Sequence, residues 1–491
     1  MNVLSRSVRS AAWVLADSWF SAVLGLLGYL VLIRLLGPET FGAMAICGLF
    51  FGAVSTFVGG ALTESIQQRS TLEAGHLNTT FWSNFILCSA FALLIALSSS
   101  FIGKLFGSEH VSQILPFLAL AAWISSLGAV PTALLERELQ HHKLAALNAL
   151  AGIPAVSVAV GMALYGFGIW SLVASVLLGA CLGCAGIWMM VDWRPGFAAT
   201  RQHFHDLFRF NRDTIATNIL GYLDDAIPRF ALAFFAGERA VGFFDMAMQI
   251  SSTLSGLILG PVAEVAMNTT ARLQSAAQKV RELLDKVFTL TTAIIYPATL
   301  GAIVIAPIAI PLIMGSAWFD LVMPVQIALL IGIRNASGEL NIAVLRGFGD
   351  SRSPVRILAL GVALQTMFIP IIAFSGVVGA VVSVTIRVFA TWPLMANKLG
   401  KVCGYGFTRQ ISVGSAYFVA SVLMAIGTYT LSSNLPADML EISRLGVLIG
   451  FGALLYATLL LLLNQVRKIL SSLVWIRDQM RAESFVSAEA F

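Results

Sequence analysis

Long apolar stretches recur along the whole chain, and they constrain the fold more than any other feature. A helix needs about 20 mostly apolar residues to cross a bilayer, and stretches of this length repeat between short polar segments. Charged residues make up only 11% of the sequence, against about 25% in a soluble domain. Runs such as 445–463 are apolar on every face and lack the alternation of a membrane barrel strand. We therefore predict an all-α integral membrane protein.

Hydropathy predicts about fourteen spanning helices, with bounds uncertain by a few residues. The predicted spans are 11–36, 39–63, 78–100, 112–136, 144–164, 168–191, 214–236, 240–263, 287–314, 322–345, 355–374, 377–397, 411–433 and 444–464. The first run is too long for the core of a signal peptide and is expected to remain as a helix. Most of the 30 Lys and Arg residues fall in alternate loops. Because positive residues collect on the cytoplasmic side, we predict a bacterial inner-membrane protein with both termini in the cytoplasm.

A weak internal repeat relates the two halves of the chain. The loop 37–42 aligns with 237–242, the segment 135–137 resembles 344–346, and 166–168 falls opposite Gly376. Six helices separate the copies, so the repeat predicts two six-helix bundles in parallel orientation, followed by two further helices. The predicted domains are a first bundle (1–191), a basic cytoplasmic linker (192–213), a second bundle (214–397), helices 13 and 14 (398–464) and an amphipathic cytoplasmic tail (465–491).

Ionisable side chains inside the predicted spans are the candidate functional residues. At bilayer depth each such group costs about 2.5–3.5 kcal/mol on insertion scales, so it requires a partner or water. Arg229, Arg334 and Arg387 lie within spans, and a guanidinium group matches the geometry of a phosphate. We predict that they bind an anionic head group. The neighbouring residues predicted to contact substrate with them are Asn218, Tyr222 and Asn341.

Acidic residues in the same spans have two interpretations. They are Asp17, Asp224, Asp225 and Glu339, and they either bind a coupling ion or orient the arginines. Asp225 and Arg229 are spaced as an i, i+4 pair, so internal charge pairing is the alternative to a substrate cavity. The histidines fall in predicted loops, and no nucleotide or hydrolase motif is present. The sequence therefore predicts neither an enzyme nor a cofactor or metal site.

Several segments resemble the polysaccharide-transporter branch of the multidrug, oligosaccharidyl-lipid and polysaccharide exporter superfamily. Ile66-Gln-Gln-Arg69, followed by 76–84, is similar to the family's cytoplasmic loop and the start of its third helix. The segments 131–139, 166–173, 36–42 and 242–247 also fit the family. The resemblance extends over nearly the whole chain and is greatest to exopolysaccharide exporters of the colanic acid and succinoglycan type.

This resemblance implies a Wzx-type flippase for undecaprenyl-diphosphate-linked oligosaccharide repeat units, serving exopolysaccharide, capsule or O-antigen synthesis. It implies two bundles that rock around a central cavity whose arginines hold the diphosphate. Membrane lipids, a polysaccharide polymerase and a chain-length regulator are the implied partners, and nucleic acid is not. The first half contributes only Asp17, so the cationic residues are expected to be concentrated in the second half. The alternatives are a drug or cation antiporter, which would favour an acidic cavity, and a membrane polysaccharide polymerase.

Overall fold

All regular elements among the described residues are helices. The computed structural model describes residues 28–54, 73–197, 201–272, 277–348, 350, 352–436, 438–472 and 474–475, together with residues 25, 56 and 66. Within these ranges the side chains at 54, 201–215, 257–258, 260–272, 277, 339, 346 and 352 are not described. Among the described helices, nine are long and apolar enough to cross a membrane, or ten if one bent pair is a single span.

The helices are numbered here in chain order. The first part of the chain contains α1 (Gly28–Leu35), α2 (Pro38–Val54), α3 (Ala74–Leu105), α4 (Glu109–Leu127), α5 (Ala129–Arg137), α6 (His141–Leu164) and α7 (Ile169–Met190). The remainder contains α8 (Arg201–Arg272), α9 (Ala277–Met314), α10 (Val322–Gly347), α11 (Arg352–Met367), α12 (Ile369–Cys403), α13 (Phe407–Asn434) and α14 (Glu441–Leu462). A 3₁₀ helix, Ser316–Leu321, lies between α9 and α10.

Glycines determine where several helices break. The predicted spans 214–236 and 240–263 both belong to α8, which departs from helical geometry at Gly237 (φ 77°, ψ −179°). The predicted span 112–136 is divided into α4 and α5 at Gly128. The positive φ of Gly237 is accessible to glycine without the steric penalty of a Cβ atom, whereas Gly128 has an ordinary φ of −87°. The break at Gly237 coincides with the gap between the two predicted spans, and the break at Gly128 divides a predicted span.

The backbone at two glycines supports the predicted internal repeat. Gly168, before α7, has φ 55° and ψ −128°, and Gly376, inside α12, has φ 56° and ψ −133°. The sequence alignment placed these two positions opposite each other. The same left-handed conformation at both is therefore a structural counterpart of the sequence repeat.

The chain divides into two compact units, unit 1 (Met1–Gly242) and unit 2 (Phe243–Phe491). In unit 1, α4 packs against α2, α3 and α7, and α6 packs against α7. In unit 2, α9 packs against α10, α13 and α14, and α12 packs against α10 and α11. The domain boundaries predicted from the repeat differ from this division and remain a prediction.

Most of the predicted linker at 192–213 is helical, because α8 already begins at Arg201. The residues just before it are fastened to unit 1. The Trp82 indole donates a hydrogen bond to the Gly196 carbonyl at 2.9 Å, and the Gly196 N–H donates to the Asn78 side-chain oxygen at 2.9 Å. The Arg194 guanidinium donates to the carbonyls of Val191 and Trp193 at 2.6 and 2.8 Å. These bonds fix the exit of the chain from α7.

Residues 466–472 and 474–475 of the predicted tail are helical. Val466 and Ile469 pack against one apolar core of unit 2 and Trp475 against another, whereas Leu470 and Val474 are exposed. Ile469 therefore contacts the protein rather than the membrane surface. Residues 476–491 lie outside the described part of the chain.

Side chains from neighbouring helices satisfy two carbonyls of α9. A proline leaves the carbonyl four residues earlier without its helical hydrogen bond, and α9 contains Pro297, Pro307 and Pro311. The carbonyl of Ala293, four residues before Pro297, accepts a hydrogen bond from the Tyr456 hydroxyl of α14 at 2.9 Å. The carbonyl of Ile303, four residues before Pro307, accepts one from the Gln326 amide of α10 at 2.9 Å.

Candidate functional site

The candidate residues Asn218, Tyr222 and Arg229 lie on α8 within unit 1, beside α2. The Tyr222 hydroxyl donates a hydrogen bond to the Leu49 carbonyl at 2.8 Å, and the Phe230 ring meets the Phe50 ring edge-on at 5.8 Å between centroids. Asn218 and Tyr222 are half-buried. The hydroxyl of Tyr222 therefore already serves to attach α8 to α2, which is a different use from the predicted contact with substrate.

Arg229 contacts the backbone of the helical turn before it. Nη1 of Arg229 donates to the backbone carbonyl of Asp225 at 3.0 Å, and the Asp225 side chain is exposed. Asp224 is buried, with 7% of its surface exposed. Pro228 leaves the Asp224 carbonyl without its helical donor. The local chemistry thus combines a half-buried guanidinium with one buried and one exposed carboxylate.

The polar residues of α10 mostly make hydrogen bonds inside unit 2. Gln326 donates to α9 as described above, and the Ser337 hydroxyl donates to the Arg334 carbonyl at 2.9 Å. Arg334 is half-buried, and its Nη1 lies 3.5 Å from the side-chain oxygen of Asn335. Among these residues of α10, Arg334 supplies the cationic group.

Asn341 belongs to a buried amide network that joins α10, α12 and α13. Gln410 Nε2 donates to Asn341 Oδ1 at 2.9 Å, Asn341 Nδ2 donates to Gln410 Oε1 at 3.3 Å, and the Trp392 indole donates to the same Gln410 oxygen at 3.1 Å. Asn341 is fully buried. Its amide already has hydrogen-bond partners within the unit, which is a different use from the predicted contact with substrate.

Gln410 and Trp392 were absent from the residues predicted to matter. Gln410 lies beside Arg409, just before the predicted span 411–433, and Trp392 lies in the span that contains Arg387. Neither position gives an indication of its partner. The available signal was the polar side chain itself, since a buried amide in a membrane protein requires hydrogen-bond partners.

Arg387 lies on α12, which packs beside α10 in unit 2. It is half-buried, and its carbonyl accepts a hydrogen bond from Thr391 at 2.9 Å. Ser383, one turn earlier, accepts a hydrogen bond from the Gln365 amide of α11 at 2.8 Å. Arg334 and Arg387 therefore lie on neighbouring helices of one unit, and Arg229 lies in unit 1. Asp17 and the side chain of Glu339 lie outside the described residues.

A polar cluster in unit 1 surrounds the repeat loops 37–42 and 237–242. Arg239 Nη1 lies 3.3 Å from Glu39 Oε1, and His110 Nδ1 lies 3.2 Å from Glu238 Oε1. Ser108 also donates to Glu238. A Cβ atom on Gly42 would overlap the Glu238 carbonyl, and one on Gly242 would overlap the Pro38 carbonyl. The paired glycines thus permit a close backbone crossing between the two aligned loops, a contact that the sequence repeat did not predict.

Together these features define a class of protein: a multi-pass helical membrane protein whose spans carry half-buried arginines. Comparison with known proteins identifies its family. The family model described as "Polysaccharide biosynthesis protein" matches residues 31–323. The chain belongs to this family, in agreement with the resemblance found in the sequence.

The curated relatives cover most of the chain. It is 25% identical to the succinoglycan biosynthesis transport protein ExoT of Rhizobium meliloti (strain 1021), over 88% of each protein. It is 22% identical to the lipopolysaccharide biosynthesis protein WzxC of Escherichia coli (strain K12), over 85% of this chain and 84% of the relative.

Solved structures share the fold. The lipid II flippase MurJ in an inward closed conformation matches with a TM-score of 0.77 and 15% identity, over 95% of this chain and 99% of that chain. An inward-facing multidrug resistance MATE family transporter of the MOP superfamily matches with a TM-score of 0.60 and 14% identity, over 77% of this chain and 94% of that chain. The predicted all-α, MOP-exporter-like membrane fold is confirmed.

Proposed function

We propose that this protein is a flippase that translocates undecaprenyl-diphosphate-linked oligosaccharide repeat units across the bacterial inner membrane. The product serves the synthesis of exopolysaccharide, capsule or O-antigen. Membership of the polysaccharide biosynthesis family, with a succinoglycan transport protein among the relatives, carries the proposal. The protein is a transporter in this proposal and catalyses no covalent step.

The arginines inside the spans support an anionic cargo. A sugar chain attached to a diphosphate cannot cross hydrocarbon unaided, because polar groups without hydrogen-bond partners are strongly disfavoured there. Arg229, Arg334 and Arg387 are all half-buried, and guanidinium groups bind phosphate oxygens in a bidentate manner. We propose that each contacts the diphosphate at some stage of a rocking, alternating-access cycle.

The acids have a secondary role in the proposal. Asp224 and Asp225 either bind a coupling cation or orient Arg229, and Asp17 and Glu339 retain the same two interpretations. Both termini are proposed to be cytoplasmic, and a polysaccharide polymerase and a chain-length regulator are proposed to receive the translocated product.

A drug or cation antiporter is the competing function within the same fold. The MATE transporter shares the fold at 14% identity, which carries no information about cargo. An antiporter for cations requires a predominantly acidic interior, whereas the spans here contain three half-buried arginines. This charge favours the flippase.

The decisive experiment deletes the gene and follows lipid-linked repeat units. In the deletion strain the repeat-unit lipid is expected to accumulate in the cytoplasmic leaflet, where an impermeant lectin or glycosidase added to spheroplasts does not reach it. Expression of the intact protein should restore access to the reagent and restore polymer export. Repeat-unit lipid that remains accessible at wild-type levels in the deletion strain would refute the proposal.

A further inference from the structure

Gly338 lies one turn after Arg334 in α10 and is buried. Glycine is less favourable than alanine in a helix interior, because it loses more conformational freedom on folding. Membrane helices nevertheless contain glycine where another group approaches closely. At Gly338 the approaching group is the side chain of Arg334.

The guanidinium group of Arg334 occupies the space that a side chain at 338 would fill. The three heavy atoms nearest to an ideal Cβ at Gly338 are Nη1, Cζ and Nε of Arg334, and that Cβ would overlap all three. The nearest neighbours are thus all part of one planar cation. Alanine at this position would force the cation to move.

The direction of the Arg334 side chain is also unusual. Side chains on a helix normally lean toward the N-terminal end, which would carry the guanidinium toward Leu330 and Ile331. The side chain turns the other way, and its Nη1 lies 3.5 Å from the Asn335 side-chain oxygen. The apolar turn before Arg334 gives a cation no hydrogen-bond acceptors, whereas the turn after it provides a polar neighbour and the space at Gly338.

We propose that Gly338 is a positioning residue for Arg334: its missing side chain forms a notch that sets the depth and orientation of the guanidinium group. This inference rests on the proposed function, in which Arg334 contacts the diphosphate. A fixed planar cation has already lost much of its rotational freedom, so binding an anion requires less additional ordering. Gly338→Ala keeps the charge of Arg334 and displaces its guanidinium group.

A double-mutant cycle measured by thermal unfolding tests the notch without any substrate. In the presence of Arg334, Gly338→Ala should lower the apparent Tm of the purified protein by about 2 °C or more, although alanine is the better helix former. In an Arg334→Ala background the same substitution should raise the Tm or leave it unchanged. Gly450→Ala is the matched control, because Gly450 of α14 is exposed and has no atom within 4 Å of its ideal Cβ. A Gly338→Ala effect of the same sign in both backgrounds would overturn the notch.

A second double-mutant cycle, which measures the affinity for undecaprenyl diphosphate as the probe, tests the positioning role. Gly338→Ala should weaken binding about tenfold when Arg334 is present, which corresponds to about 1.4 kcal/mol, and should cause no further loss in the Arg334→Ala background. Equal losses in both backgrounds would show that Gly338 acts independently of Arg334 and would refute the role. Full affinity in Gly338→Ala with loss in Arg334→Ala would also refute it, while leaving the proposed site intact. If the unmodified protein does not bind the probe, the proposed function fails, and the positioning role that depends on it fails too. The Tm measurements still determine whether the Arg334 guanidinium occupies the space at Gly338.

Discussion

At the scale of single residues, charge inside the spans and hydrogen bonding within the units distinguish the candidate residues. Arg229, Arg334 and Arg387 are half-buried cations, whereas Asn341 and Tyr222 make hydrogen bonds that join helices. Residues in the first group are expected to affect transport, and residues in the second group are expected to affect stability. The next two predictions separate these effects.

Arg334→Ala should abolish polymer export while the amount of folded protein in the membrane stays the same. Arg334→Lys should restore only part of the export, because an ammonium group cannot make the bidentate contact of a guanidinium group with a diphosphate. Export is measured as secreted polymer normalised to the protein detected in membranes. Arg467→Ala, at an exposed position after α14, is the control and should export normally. Normal export by Arg334→Ala would favour internal charge pairing as the role of this residue.

Asn341→Ala should destabilise unit 2 because it leaves the Gln410 amide buried with fewer partners. A buried polar group that loses its partner typically costs about 1–3 kcal/mol, so we expect a lower apparent Tm and less folded protein. Adding Gln410→Ala should cost less than it does alone, since the two residues share one hydrogen-bonded pair. Asn434→Ala, at an exposed helix end, should have little effect. Loss of export by Asn341→Ala at unchanged Tm would instead point to direct contact with substrate.

The sequence indicated which residues are charged and buried, but it did not indicate their partners. Arg334 and Arg387 were evident because arginine is strongly disfavoured in an apolar span. The pairing of Asn341 with Gln410 depends on how α10 and α13 pack, and no local pattern in either helix encodes that contact. The same applies to Gly338, whose importance follows from the direction of a neighbouring side chain.

At the scale of helices, α9 shows how prolines inside a helix are accommodated. Tyr456 and Gln326 each donate to the carbonyl that a proline leaves without its helical donor. The carbonyls would otherwise lie in an apolar environment, where water is excluded. Helices α14 and α10 therefore stabilise α9 through polar contacts as well as through apolar packing.

Tyr456→Phe should lower the apparent Tm in the native background, because the Ala293 carbonyl loses its donor. In a Pro297→Ala background the backbone N–H at 297 returns and can donate to that carbonyl, so the same substitution should then have a much smaller effect. The expected difference is about 0.5–1.5 kcal/mol, measured as the Tm shift in each background. Tyr429→Phe, at an exposed site on α13, serves as the control. Equal shifts in both backgrounds would show that the hydroxyl acts elsewhere.

The helices themselves were largely predictable, but a break inside a predicted span was not. The predicted spans at 144–164 and 411–433 lie within α6 and α13, because long apolar runs specify helices in a membrane. The break at Gly128 was not predicted, because it falls inside the single predicted span 112–136. The break at Gly237 falls between two predicted spans. A glycine in a long apolar region is compatible with a loop, a kink or close packing, and only the packing partners distinguish them.

At the scale of the whole molecule, the distribution of basic residues should determine the orientation of the chain in the membrane. The segment between α3 and α4 is predicted to face the periplasm. The segment between α5 and α6 is predicted to face the cytoplasm, because the basic residues Arg137 and Lys143 flank it. Inversion of the chain would place that cluster outside and contradict the assignment of both termini to the cytoplasm.

Cysteine labelling provides the test of this orientation. In a variant that lacks the five native cysteines, Glu109→Cys should react with a membrane-impermeant maleimide in spheroplasts, whereas His142→Cys should react only after lysis. The two positions form a matched pair, since both side chains are exposed in the same unit and differ in their predicted side of the membrane. The opposite labelling pattern would reverse the topology. The direction of transport would then have to be reassigned, because the repeat-unit lipid is proposed to enter from the cytoplasmic leaflet.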